Sequence, residues 1–273
     1  MKSLEQPVEQ PSLTSEAITS RSLSIVLPAY NEEAVITNSV RSCLQTAERL
    51  GLSVQVLVVD DGSRDRTGAI VDALAAADPR VVALHHASNR GYGATMVSGF
   101  NAAQGELLFF MDSDGQFDVA DIAKLLKYAE QQPGQVVLGY REHRRDPLPR
   151  LFFSWGWKQI VRIVLGLHGI RDIDCAFKLF PTQLVQACDI NAQGPTLNAE
   201  LLVKLQRMHI PMVQVPVGHF PRMHGKATGV SLRIIVRAFQ ELVHLRLRLR
   251  AWPPTEPLTM STRENGRVNV FPQ

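Results

Sequence analysis

Five short apolar runs rich in β-branched or aromatic residues recur along the chain: Ser24 to Leu27, Val54 to Val59, Val81 to Leu84, Leu107 to Met111 and Val136 to Leu138. Runs of this length and composition suit strands buried on both faces of a parallel sheet. Between them lie stretches with helical spacing, Glu33 to Leu50, Thr67 to Ala77, Gly91 to Ala103 and Val119 to Gln131. Asp118, with Asp121 three residues on, supplies a helix N-cap signal before the last of these. The alternation predicts a doubly wound, Rossmann-like α/β sheet with helices on both faces. After Tyr140 the rhythm changes to an apolar-aromatic helix at Leu151 to Leu165, a strand at Phe177 to Phe180, a helix at Asn198 to Arg207 and a strand at Met212 to Val217. No internal repeat is visible. The second half reads as decoration of the same sheet, so the expectation is one domain over 22–250, with a nucleotide-sugar half (22–140) and an acceptor half (141–250). Disordered tails are expected at 1–21 and 251–273, which contain Pro, Ser and Thr without hydrophobic periodicity.

The runs end in polar residues with chemical potential. Phe109-Phe110-Met111 stops at Asp112-Ser113-Asp114-Gly115-Gln116. Two carboxylates one residue apart at the carboxyl end of a buried strand can hold a hard divalent cation against phosphate oxygens, because Mg²⁺ takes one or two carboxylates and completes its shell from substrate and water. Asp and Gly also end strands in simple turns. The first strand leads into Pro28-Ala29-Tyr30-Asn31-Glu32, where Tyr30 offers a flat face to a base or ribose and Glu32 an acceptor for sugar hydroxyls. The second leads into Asp60-Asp61-Gly62-Ser63; two adjacent acids are not expected to face the core together, and one is placed to accept from a base or ribose. A turn with a helix cap at Ser63 and Asp65 explains part of the same pattern. Asn89-Arg90-Gly91-Tyr92-Gly93 is not a dinucleotide fingerprint, since Met96 stands where its third glycine belongs; its glycines allow close passage of a diphosphate or a neighbouring strand.

Charge and cysteine narrow the classes. With 29 basic and 26 acidic residues the net charge is +3, and no basic patch interleaved with aromatics points to nucleic acid. Arginines gather at Arg141, Arg144, Arg145 and Arg150 and again from Arg233 to Arg250, which suits an anionic ligand. Three cysteines without Cys-x-x-Cys spacing imply neither a disulfide framework nor zinc. The first twenty residues lack an apolar signal core, and no apolar stretch reaches the ~20 residues needed to span a bilayer. Ser231 to Arg250 forms a helical stripe at Leu232, Ile235, Val236, Phe239, Leu242 and Val243 with arginines alongside. It reads as a basic helix for an anionic membrane surface or as a core helix with a solvated face.

Taken together and in this order, Pro-Ala-Tyr-Asn-Glu, Asp-Asp-Gly-Ser and Asp-Ser-Asp-Gly-Gln resemble glycosyltransferase family 2. Within it, Gly139-Tyr140-Arg141, Asp172-Ile173-Asp174-Cys175-Ala176-Phe177-Lys178, Glu200 and Arg222-Met223-His224-Gly225-Lys226 are similar to the dolichyl- or polyprenyl-phosphate sugar transferases. The resemblance implies a GT-A fold and an inverting, metal-dependent transfer of a hexose from a GDP- or UDP-sugar to a polyprenyl or dolichyl phosphate. It implies Pro28, Tyr30, Glu32, Val58, Asp60 and Asp61 at the nucleoside, and Asp112, Ser113, Asp114 and Gln116 at the diphosphate. Asp112, Asp114 and Gln116 would hold Mg²⁺ or Mn²⁺, Arg141 and Arg222 would face phosphates, and Lys226 would assist at the acceptor. Relatives often carry Ser-Lys shortly after Arg-x-x-Gly, where this chain has Lys226-Ala227-Thr228. Many continue into transmembrane helices, where this chain shows a basic helix and no span, so a cytoplasmic protein peripheral to the inner face of the plasma membrane is expected. A sugar-hydroxyl acceptor would instead need a base, for which Asp172, Asp174 and Glu200 are the candidates. A sugar-1-phosphate nucleotidyltransferase and a non-catalytic nucleotide-sugar binder are the other readings.

Overall fold

The computed structural model describes residues 22–142, 148–221, 232–252, 259–262 and 268–271, with side chains over 22–142, 155–221 and 238–252. Strands β1 (Ser22–Ala29), β2 (Ser53–Asp60), β3 (Val81–His85), β4 (Leu107–Met111) and β5 (Val136–Arg141) alternate with helices α1 (Ile36–Arg49), α2 (Thr67–Ala77), α3 (Tyr92–Ala102) and α4 (Ile122–Gln131). The second half adds α5 (Leu148–Leu165), β6 (Phe177–Pro181), α6 (Thr182–Ala187), α7 (Leu197–Arg207), β7 (Met212–Val217) and α8 (Leu232–Ala251). One seven-stranded sheet runs β3-β2-β1-β4-β6-β5-β7. β6 is antiparallel to both β4 and β5, and the other pairings are parallel. The sheet is therefore mixed, and β6 weaves the second half between two strands of the first. The carboxyl ends of β1, β2, β4 and β5 then fall along one edge, which is where open α/β sheets bind ligands.

The centre of the sheet is held by aromatic packing. Because β4 and β6 pair antiparallel, Phe109 meets Phe177 edge-on at 4.6 Å, and Phe110 stacks on Phe180 at 5.9 Å. All four are buried, each contributing about 1.5–3 kcal/mol by leaving water. Lys178 lies on β6 between them, wholly buried, donating to the carbonyls of Ile173 (3.2 Å) and Cys175 and to Asn198 Oδ1 (3.1 Å). Its three donors are all used, as a buried ammonium requires. Cys43, Cys175 and Cys188 are buried free thiols, each pushed up to about 12 by burial, and so are poor nucleophiles.

Two departures from expectation concern short elements. α6 spans only Thr182–Ala187, too few residues to display a helical period. Within the expected C-terminal tail, β8 (Thr259–Thr262) and β9 (Val268–Phe271) pair antiparallel. The N-terminal tail lies outside the described residues.

The loops after β1 and β2 are laced together. Asn31 N–H donates to Ser63 Oγ (2.9 Å), Arg64 N–H to Asn31 Oδ1 (2.8 Å), and Glu32 N–H to Thr67 Oγ1 (2.8 Å). Asp65 accepts from Thr67 N–H (2.9 Å), Thr67 Oγ1 (2.6 Å) and Glu33 N–H (3.3 Å). Burial acts to raise its carboxyl, yet the bonds from Thr67 and Glu33 hold it below the ordinary value. Asp65 is thus more than a helix cap, because it also ties α2 to the loop carrying Tyr30 and Glu32. Asp65→Ala is expected to cost about 1–2 kcal/mol of stability, read as a lowered denaturant midpoint at unchanged slope.

Candidate active site

The carboxyl ends of β1, β2, β4 and β5 carry the candidate residues along one edge of the sheet, with Asp172 and Asp174 in the loop before β6. At the end of β1, Tyr30 is 36 % exposed and Asn31 sits at φ 55, turning the chain into α1. At the end of β4, Ser113 donates its hydroxyl to the Pro28 carbonyl (2.6 Å) and accepts at its own carbonyl from Ser39 Oγ (2.7 Å). This buried serine binds the Asp-x-Asp turn to the Pro28 loop, so the two expected ligand segments move as one. Val58, implied as a nucleoside contact, has its side chain fully buried inside β2.

Asp60 and Asp61 are both buried, against the expectation that adjacent acids could not share the interior. Consecutive strand residues point to opposite faces, and the neighbouring strand supplies a histidine on each. Asp60 accepts from Ser63 N–H (3.0 Å) and pairs with His85 Nδ1 (3.1 Å). Asp61 pairs with His86 Nδ1 (2.7 Å) and accepts from the N–H groups of Arg90 (2.9 Å) and Gly91 (2.8 Å). Gly62, at φ 67, lets the turn pass Ser88, whose carbonyl carbon would lie 2.7 Å from a Cβ there. The sequence signal for these pairs was present in His85-His86 ending the run beside the one that ends in Asp60-Asp61.

The Gly91-Tyr92-Gly93 turn approaches the second half rather than a neighbouring strand. Gly93 and Ala94 donate their N–H groups to the Gln193 carbonyl (3.0 and 3.3 Å). A Cβ on Gly93 would sit 2.7 Å from the Gln193 carbonyl carbon. The amino end of α3 is therefore capped by the 192–193 backbone. Tyr92 at this end is hydrogen-bonded to Asp112.

Asp112 and Asp114 are close enough to repel. Burial first, then the charge of Asp114, raises the Asp112 carboxyl to about 7, against the opposing pull of Arg141, Tyr92 and Lys178. Asp114 is 8 % exposed and accepts from Gln116 N–H (3.1 Å). No group of three His, Cys, Asp or Glu side chains that could cage a metal occurs among the described residues. Two hard oxygen donors under mutual repulsion fit a divalent cation whose other ligands come from a diphosphate and water. Gln116 donates Nε2–H to the Phe220 carbonyl (3.0 Å), and Phe220 N–H returns to the Gln116 carbonyl (2.8 Å). Through this pair and the Phe117–His219 bridge, the segment leading to Arg222 is fastened beside the Asp-x-Asp turn. Arg222, His224 and Lys226 themselves lie outside the described residues.

On the other wall, Arg141 grips Asp172 with two bonds, Nε to Oδ2 at 2.7 Å and Nη2 to Oδ1 at 2.9 Å. Lys158 of α5 adds a third at 3.0 Å. Burial acts to raise Asp172, and Arg141 with Lys158 overrides it, holding the carboxyl well below the usual range. Arg171, next to Asp172 in the chain, lies over the Tyr140 ring at 4.8 Å. Lys158 carries no local sequence signal for this role, because it stands 14 positions before Asp172, inside α5. Asp174 is raised by burial and by the Asp172 charge. Glu200 is an ion-pair partner of Lys204 (2.8 Å), with Arg248 of α8 at 3.7 Å.

The family model described as "Glycosyl transferase family 2" matches residues 24–185. A dolichyl-phosphate beta-glucosyltransferase of Trichomonas vaginalis is 31% identical over 212 residues, 71% of this chain and 62% of that protein. An undecaprenyl-phosphate 4-deoxy-4-formamido-L-arabinose transferase of Edwardsiella ictaluri is 27% identical over 81% of this chain and 67% of its own length. The chain thus spans about three fifths of the first of these relatives. Among solved structures, glucosyl-3-phosphoglycerate synthase from Mycobacterium tuberculosis, in complex with Mn²⁺, uridine diphosphate and phosphoglyceric acid, superposes with a TM-score of 0.63. That match is at 18% identity and covers 97% of this chain and 93% of that one, which shows the shared fold. The nucleotidyltransferase reading falls away, and the chain belongs to glycosyl transferase family 2.

Proposed function

We propose that the protein transfers a hexose from a nucleoside-diphosphate sugar to a polyprenyl or dolichyl phosphate, with inversion at the anomeric carbon. The observation that carries this reading is the Asp112–Asp114 pair at the end of β4, faced by the Arg141–Asp172–Lys158 cluster. The acceptor class is supported by the relatives named as dolichyl-phosphate and undecaprenyl-phosphate sugar transferases. In the reaction the anomeric C–O bond to the diphosphate breaks, its electron pair leaving with the nucleoside diphosphate. A phosphate oxygen of the acceptor forms the new bond from the opposite face. Mg²⁺ or Mn²⁺ held by Asp112 and Asp114 would neutralise the charge developing on the leaving diphosphate. Tyr30 and Glu32 receive the nucleoside, their loop held by the bonds to Ser63 and Thr67. Asp60 and Asp61 act behind them, keeping the turn in place. Arg141, held rigid by Asp172, presents fixed positive charge toward phosphate, with Arg222 and Lys226 assigned to the acceptor. The acceptor phosphate arrives ionised, so positioning rather than proton removal carries the rate.

The test is incubation with UDP- and GDP-sugars, Mg²⁺ or Mn²⁺ and a polyprenyl phosphate, followed by extraction of lipid. A charged glycolipid is the expected product. Efficient glycosylation of a sugar hydroxyl with none of the prenyl phosphate would overturn the acceptor assignment. No helix among the described residues is long and apolar enough to cross a membrane. We place the protein at the cytoplasmic membrane surface, where such an acceptor is exposed.

A further inference from the structure

One strip of the exposed side of α8 is apolar, with exposed Gln240 and His244 along one edge. Ala238, Leu242, Leu245 and Leu249 are buried against the rest of the protein, whereas Phe239, Val243 and Leu247 are 40, 55 and 52 % exposed. The sequence had grouped Phe239, Leu242 and Val243 on one stripe; the structure divides them, sending Leu242 inward. Single exposed apolar side chains are ordinary, but these three stand at i, i+4 and i+8 and form a continuous ridge. The helix is not free to roll the ridge inward. Trp157 of α5 meets Phe239 edge-on at 5.5 Å, Thr196 Oγ1 donates to Glu241 (3.2 Å), and Arg207 donates to the Leu249 carbonyl.

Charge decides what covers the ridge. Glu241, the one acid on α8, faces Thr196 and Gly194, so the exposed side carries no carboxylate. At about 100° per residue, Arg250 falls within the angular sector of the ridge and Arg246 about 20° outside it. Arg248 points roughly opposite and reaches Glu200 at 3.7 Å. Three half-exposed side chains offer on the order of a few hundred Å², short of the roughly 800 Å² per partner that a stable dimer buries. An apolar ridge edged by arginine and lacking acid fits the boundary between headgroups and acyl chains of an anionic leaflet.

We propose that Phe239, Val243 and Leu247 insert into the interfacial layer of an anionic lipid membrane, with Arg246 and Arg250 at the headgroups. This deepens the lipid-acceptor reading and rests on it only for the choice of partner. Docking is then mainly by apolar burial and survives high salt in part, unlike docking by the whole arginine set.

The full chain is floated with phosphatidylcholine–phosphatidylserine vesicles in the absence of metal, sugar donor and prenyl phosphate. Wild type is expected to float, with a fraction still bound in high salt. Phe239→Ser/Val243→Ser/Leu247→Ser should weaken partition by on the order of tenfold or more. It should keep the melting temperature of the wild type and its transfer to a short-chain, water-soluble prenyl phosphate. Arg246→Gln/Arg250→Gln should weaken binding chiefly at low salt. Wild type that fails to float, a triple variant that floats like wild type, or a solution dimer that the triple variant dissociates each overturns the proposal. Vesicle binding without transfer to any prenyl phosphate would reject the acceptor reading and leave the docking surface standing.

Discussion

Asp114→Ala is expected to lower sugar transfer by on the order of 10³-fold and to remove the metal-dependent part of diphosphate affinity, since charge stabilisation at the leaving group is worth several kcal/mol. The pH dependence in the wild type sharpens this. Burial and the charge of Asp114 raise Asp112 to about 7. A cation binds the ionised carboxylate, so metal-dependent nucleotide affinity should be full above that value. Below it, affinity should fall about tenfold per pH unit as protons compete. The effect on folding has the opposite sign. A carboxyl whose folded pKa is raised contributes stability below its unfolded value and loses it as pH rises through about 7. Metal-free protein should therefore melt lower on the alkaline side of neutrality, and added Mg²⁺ or Mn²⁺ should restore it. Calorimetric titration of UDP and GDP across pH, with and without metal, checks both signs. Equal nucleotide affinity with and without metal, in wild type and in Asp114→Ala alike, would sink the metal assignment.

What the sequence made legible, and what it hid, divides along local and long-range physics. Strand ends were readable because apolar runs stop abruptly at Asp, Gly and Asn, residues that tolerate turns and positive φ; Asn31 at φ 55 and Gly115 at φ 74 stand where such turns were expected. The Asp-x-Asp turn was found for that reason. Its supports were not, because they join residues far apart in the chain: Ser113 to Pro28 across 85 positions, Asp60 to His85 across 25, Gln116 to Phe220 across 104. The antiparallel insertion of β6 leaves no mark in the run Phe177 to Phe180, since a strand buried on both faces is apolar in either direction. On α8 the apolar residues were correctly seen as helical, but spacing alone cannot say which of two adjacent stripes meets the core. Only the contacts of Trp157, Glu200 and Thr196 fix the rotation.

Asp172 separates the phosphate acceptor from the hydroxyl acceptor. If it were a general base, Asp172→Asn would cost 10²–10⁴-fold and abolish an acid limb of the pH–rate profile. The structure gives it other work: two bonds to Arg141 and one to Lys158, with its carboxyl held well below the usual range, so it is a weak base already committed to cations. Asp172→Asn is then expected to lower kcat by on the order of 10²-fold, because Arg141 loses its charged fork and a misplaced cation costs about that much. The shape of the pH profile should be unchanged. Arg141→Ala should produce a similar loss, and the double variant little more than either single one, since both remove the same contact. Asp174, raised by burial and by its neighbour, is the better-matched base of the pair. If Asp174→Asn erased an acid limb that Asp172→Asn preserved, a hydroxyl acceptor would be in use. Transfer to a phosphate predicts that neither variant does so, because the attacking oxygen carries no proton to lose.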